Sequence, residues 1–191
     1  LIVCIVLLLG SGQARAETYH VIFCGSGGET EFVDKFYNWG TRLEQAIVQR
    51  LEVPESNVFL LTEAQEDLPE PTATTSLESI QSVLEIVGEQ STSEDDLYIY
   101  FIGHGSYFNS IPKFHIPGPD LTADHFAGLI ETIETRKLIL INSTSSSAAF
   151  INTLSAPDRL ICTATKSATE HNATEFMGLW IEALEDGSAD R

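Results

Sequence analysis

The run Leu97–Ile102, LYIYFI, is apolar or aromatic at every position and leads straight into Gly-His-Gly. A strand with one wet face alternates apolar and polar residues, whereas an unbroken apolar strand needs cover on both faces. Such a strand belongs inside a parallel sheet with helices above and below it. Four other short runs have the β-branched and aromatic content of strands: Tyr19–Cys24, Val58–Leu61, Leu138–Ile141 and Arg159–Thr163.

Helix-period segments lie between them. From Glu31 to Leu51, apolar residues fall at Phe32, Phe36, Trp39, Leu43, Ile47 and Leu51, one stripe at steps of three or four. Thr75 with Glu78 has the spacing of a capping box, opening a helix through Ile80, Val83, Leu84 and Val87 that stops at Gly88. Asp120 or Thr122 is placed to cap a helix running to about Ile133. A short helix is expected near Ala148–Leu154 and a last one over Thr174–Leu184. Residues 62–74 read as a surface loop, and Lys113–Ile116 as a short edge strand or hairpin arm. Strands alternating with helices predict a single α/β domain with a mainly parallel central sheet.

The ends differ from the middle. Leu1–Leu9 is unbroken apolar sequence, too short for a bilayer-spanning helix, and is followed by small residues and Ala-Arg-Ala. This reads as a signal peptide over residues 1–16, which predicts a secreted or periplasmic protein. The domain then covers 17–185, and 186–191 is a polar acidic tail; the chain is expected to continue at both ends. Against 28 acidic residues there are 10 lysines and arginines, a net charge of −18. So acidic a surface repels phosphate backbones and anionic lipid, which excludes nucleic acid as a partner and membrane association once the signal is removed. Cys24 and Cys162 read as buried free thiols. No Cys-x-x-Cys or clustered His/Cys pattern points to a metal, no cofactor is implied, and His115, His125 and His171 show no ligand spacing.

In an open parallel sheet, ligands bind beyond the carboxyl ends of the strands. Three loops leave such ends: Gly25–Glu29, Gly103–Tyr107 and Asn142–Ala149. If the third and fourth strands are neighbours, His104 faces the serine-rich loop and can serve as acid or base toward Ser145 or Ser146. Backbone N–H groups around Gly105 and Ser146 are candidates for an oxyanion site. Cys24, at the tip of the first strand, is an alternative thiol. The plainer reading of Ser-Thr-Ser-Ser-Ser is a polar loop that caps the next helix. The Gly-Ser-Gly-Gly loop raises a nucleotide-binding domain as a further reading, although it lacks full Gly-x-Gly-x-x-Gly spacing and a nearby basic residue. Asn142 and Asn172 match glycosylation sequons, but Asn142 ends a buried strand and is a poor acceptor.

Taken in order, HVIFCGSGG, the long helix, VPESNVFLL, LYIYFIGHGS, LILINSTSSSAAF and RLICTATKSATEHN resemble the caspase-like clan of cysteine peptidases, most closely its legumain-like (C13) branch. The likeness runs from Tyr19 to about Leu184. It implies a caspase-like three-layer sandwich with helices on both faces of the sheet. It places His104 as the catalytic histidine, Ser145 (give or take one residue) at the cysteine position and Ser143 where an acidic residue stands. Gly27 falls at an asparagine that orients the histidine, and Thr165 lies in the substrate-binding loop. Only the histidine is kept among these groups. A serine hydroxyl needs a well-oriented base far more than a cysteine thiol does. The expectation is therefore a pseudopeptidase that binds peptides or proteins. The alternative is an active endopeptidase or hydrolase using His104 with Ser145 or Ser146.

Overall fold

The computed structural model describes residues 16–64 and 73–187. Apart from Ala16, the expected signal peptide lies outside the described residues, as do most of the 62–74 loop and of the terminal tail.

Six strands form one sheet in the order β3-β2-β1-β4-β8-β9, and every neighbouring pair is parallel. Their ranges are β1 Thr18–Cys24, β2 Val58–Thr62, β3 Ala73–Thr74, β4 Asp96–Ile102, β8 Lys137–Asn142 and β9 Arg159–Thr163. The five expected strands are present within a residue at each end. The central strand β4 has its whole apolar run buried except Tyr98, as an interior parallel strand requires.

Two separate cores show that the sheet is covered on both faces. On one side Phe23, Leu61, Phe101, Leu140 and Phe150 pack with α2 (Leu77–Gln90) and α3 (Ala123–Ile130). On the other, Ile22, Tyr100, Ile102 and Ile141 pack under α1 (Thr30–Arg50) and α5 (Phe176–Glu185), through Phe36, Trp39, Leu43, Ile47, Met177 and Ile181. Successive strand residues point to opposite faces, so Phe101 serves one core and Tyr100 with Ile102 the other. Burying each such side chain contributes on the order of 1.5–3 kcal/mol. The chain is thus an α/β three-layer sandwich built on a parallel sheet.

Several local expectations are adjusted. The α2 cap is Ser76, whose hydroxyl accepts from the Ser79 N–H; the helix runs through Gly88 to Gln90. Thr122, not Asp120, caps α3 in a reciprocal box with His125, and that helix ends at Ile130. The turn after β8 is a 3-10 turn, Ser147–Phe150, followed by the single-turn α4, Ile151–Leu154. Between β4 and α3 lies a three-stranded antiparallel sheet, β5 (Gly105–Phe108), β6 (Ile111–Phe114) and β7 (Leu121–Thr122), of which only the β6 arm was expected.

Candidate functional site

Register aligns the strand ends along one rim. Cys24 pairs with Ile102, Phe101 with Asn142, and Asn142 with Thr163. The order reverses at β1, which has β2 on one side and β4 on the other, so the Gly25 loop and His104 leave the sheet at its topological switch point. Since β4 and β8 are neighbours, the Gly103–Tyr107 loop and the serine loop meet. The contact is close at Gly105, where a Cβ would come within 2.6 Å of both the Ser145 carbonyl oxygen and the Thr144 hydroxyl. Only glycine lets the two backbones approach this far.

His104 is half-buried at this rim. The Phe32 and Phe36 rings meet it edge to face, at centroid distances of 4.6 and 5.1 Å. Burial holds its imidazole below the usual histidine range, and the charge of His115 adds to this; a hydrogen bond with the Gly27 backbone and the carboxylate of Glu29 pull the other way. A hydrogen bond that favours the protonated ring is one the ring donates, so the Gly27 backbone acts as acceptor. Gly27 itself has no room for a side chain, because a Cβ there would lie 2.3 Å from the Val33 nitrogen. Orientation of the imidazole thus falls to backbone and aromatic contacts.

The hydroxyls of the serine loop point elsewhere. Ser143 is buried and donates to the Phe101 carbonyl at 2.7 Å. Ser145, 2% exposed, donates to the Asn172 carbonyl at 3.0 Å. Ser146 is fully buried in a left-handed conformation, φ 54°. Its N–H donates to the Glu170 carbonyl at 2.8 Å, and its hydroxyl lies 3.2 Å from His171 Nδ1. Among the described residues no hydrogen bond joins His104 to Ser145 or Ser146. The N–H proposed for an oxyanion site at Ser146 is engaged by a carbonyl.

One loop, residues 164–175, supplies nearly all of these partners. Thr165 is buried and accepts from the Ala148 N–H at 3.1 Å, while its own hydroxyl donates to the Ser167 carbonyl. Thr174 donates to the Ser143 carbonyl. The Thr165 side chain therefore ties the serine turn to this loop. Asn142 accepts from both the N–H and the hydroxyl of Thr144, and it is 1% exposed, which suits a strand end and not a glycan acceptor.

The other candidates are also accounted for. Cys24 is fully buried, donates to the Phe36 carbonyl, and burial pushes its thiol far above the usual range, so it offers no thiolate. In the Gly25–Glu29 loop, the Ser26 hydroxyl and the Gly27 N–H both donate to the Glu63 carboxylate, at 3.0 and 2.9 Å. Two donors that a phosphate would need are engaged by an anion of the chain itself. Among the described residues, no group of three His, Cys, Asp or Glu side chains is placed to hold a metal ion. No helix among them is long and apolar enough to cross a membrane.

Sequence reasoning placed His104, Gly105 and the serines at one rim. It missed Phe32, Phe36, Glu63 and the carbonyls of Glu170 and Asn172. The two phenylalanines carried a signal, since they start the α1 stripe directly after the glycine loop. The carbonyls carried none, because any residue type supplies one. Compared with known proteins, the chain matches no family model and no curated protein.

Proposed function

We propose that this chain is a secreted, degenerate legumain-like (C13) domain of the caspase-like clan, a pseudopeptidase that binds peptides or proteins without cleaving them. The observation that carries the reading is the state of the serine loop. The Ser145 hydroxyl and the Ser146 N–H are both engaged by carbonyls of residues 170–172, and neither serine hydroxyl pairs with His104. A nucleophile needs its base within hydrogen-bond reach and an unoccupied donor for the oxyanion. Here the base faces phenylalanine edges, and the donor is taken. The order of strands and loops, with a histidine after one strand and small residues after its neighbour, supports kinship with the peptidases. Function on such a fold is decided by the site.

A second reading has one observation in its favour. Ser146 sits in a left-handed turn with its hydroxyl against His171, an arrangement in which a base adjoins a nucleophile. Its complete burial stands against this. Turnover measured over a broad panel of peptide and ester substrates decides between them. The pseudopeptidase reading expects no rate above background in the wild type and no change in His104→Ala. Turnover that His104→Ala or His171→Ala abolishes would establish an enzyme instead.

A further inference from the structure

The antiparallel sheet beside His104 has two unlike faces. Gly105, Pro112, Phe114 and Leu121 are buried beneath it. Their neighbours in alternation lie on the outer face. Register pairs Phe108 with Ile111, Ser106 with Lys113, and Lys113 with Thr122. The His115 N–H donates to the His104 carbonyl, which carries the pairing to the base of the hairpin. The outer face therefore presents, from tip to base, Phe108 and Ile111, then Ser106 and Lys113, then His104 and His115.

Two features of this face stand out. Its tip is apolar and uncovered, with Phe108 75% and Ile111 43% exposed. Asn109 and Ser110 join the strands with φ of 50° and 63°, the left-handed pair of a two-residue hairpin turn, which fixes the tip in place. Second, the face carries one lysine, Lys113, on a chain of net charge −18. Lys113 makes no ion pair among the described residues. Asp120 lies 4.0 Å from His115, and the Glu29 carboxylate acts on His104.

Side chains on one face of a strand recur about every 6.8 Å, and an extended ligand presents its own alternate side chains with the same repeat. We infer that this outer face seats an extended segment of a partner protein bearing a large apolar residue and, two residues away, a carboxylate. The apolar residue covers Phe108 and Ile111, and the carboxylate meets Lys113. This rests on the reading of the chain as a peptide- or protein-binding domain, but it requires nothing of the serine loop. The acidity of the remaining surface disfavours an anionic membrane as the occupant.

The test is fluorescence anisotropy with the full chain and a labelled pentapeptide carrying phenylalanine at its second position and glutamate at its fourth. The same peptide with lysine in place of glutamate is the control. The inference expects saturable binding of the glutamate peptide, weakened by salt, with affinity at least about fivefold lower for the lysine peptide. Phe108→Ser and Lys113→Glu, both at surface positions, each lower affinity to a similar extent while thermal melting stays unchanged. Binding that both variants leave intact overturns this seat but spares the peptide-binding reading. No binding by the wild type overturns the seat too, while turnover assays still judge the pseudopeptidase reading by themselves. Recruitment of the wild type, but not Phe108→Ser, to phosphatidylcholine vesicles in place of peptide makes the tip a membrane contact and also overturns it.

Discussion

The Ser145 hydroxyl donates to the carbonyl of Asn172 at 3.0 Å, although its own backbone lies against Gly105, the residue next to His104. Proximity in the fold has thus not produced a nucleophile–base pair. The serine loop is joined to residues 164–175 by hydrogen bonds that leave the histidine with aromatic neighbours.

That connection makes Thr165 a structural residue, whichever ligand the domain takes. Thr165→Val keeps the shape but leaves the part-buried Ala148 N–H without its acceptor, a loss of about 1 kcal/mol. Urea unfolding measures it; an unchanged midpoint would show that the bond is dispensable.

Gly27→Asn installs the residue expected from the peptidase resemblance. The new Cβ would lie 2.3 Å from the Val33 nitrogen, so the start of α1 has to shift. Overpacking of this kind costs about 1–3 kcal/mol. The variant is expected to be less stable and no more active. A variant as stable as the wild type would show that the loop yields more readily than its packing indicates.

His20 gives the domain a pH dependence unrelated to the site. It is buried, stacks on Tyr98 at 4.6 Å and bonds Tyr100 Oη through Nδ1, and burial lowers its pKa to about 4. The unfolded chain binds this proton near pH 6.5 and the folded chain only near 4. The resulting stability is complete above 6.5 and is lost as pH falls from 6.5 toward 4, by about 3 kcal/mol in all. Unfolding of the wild type and His20→Phe across that range isolates the effect. Parallel curves would contradict it.

His104 is expected to titrate below an ordinary histidine by NMR. Removing a negative neighbour lowers an imidazole pKa and removing a positive one raises it. Glu29→Gln therefore moves the midpoint down, and His115→Gln moves it up. Shifts of opposite sign would mean that the ring sits in a different environment.

The inner strands β1, β4 and β8 were legible because each combines β-branched or aromatic content with near-continuous burial, whereas Arg159–Thr163, an edge strand with no buried residue, was read to the residue from its composition. The α1 stripe was legible for the same reason at helical period. The antiparallel sheet was largely hidden. Its strands are two to four residues long and hold glycine and proline, so pairing, not propensity, defines them. Thr75 and Glu78 had the spacing of a capping box, yet the chain caps one residue later at Ser76, because Thr75 is drawn to the sheet edge by its N–H bond to the Thr62 carbonyl. At the rim, residue types identified His104 and the serines but not the direction of their hydroxyls. Those directions depend on the path of an irregular loop some 25 residues further along the chain.

The most direct measurement is mass-spectrometric mapping of the full chain after treatment with a fluorophosphonate, which phosphonylates serines activated by a base, with loss of fluoride. The account predicts Ser145 and Ser146 unmodified, in the wild type as in His104→Ala. Stoichiometric modification of either serine that disappears in His104→Ala would contradict it.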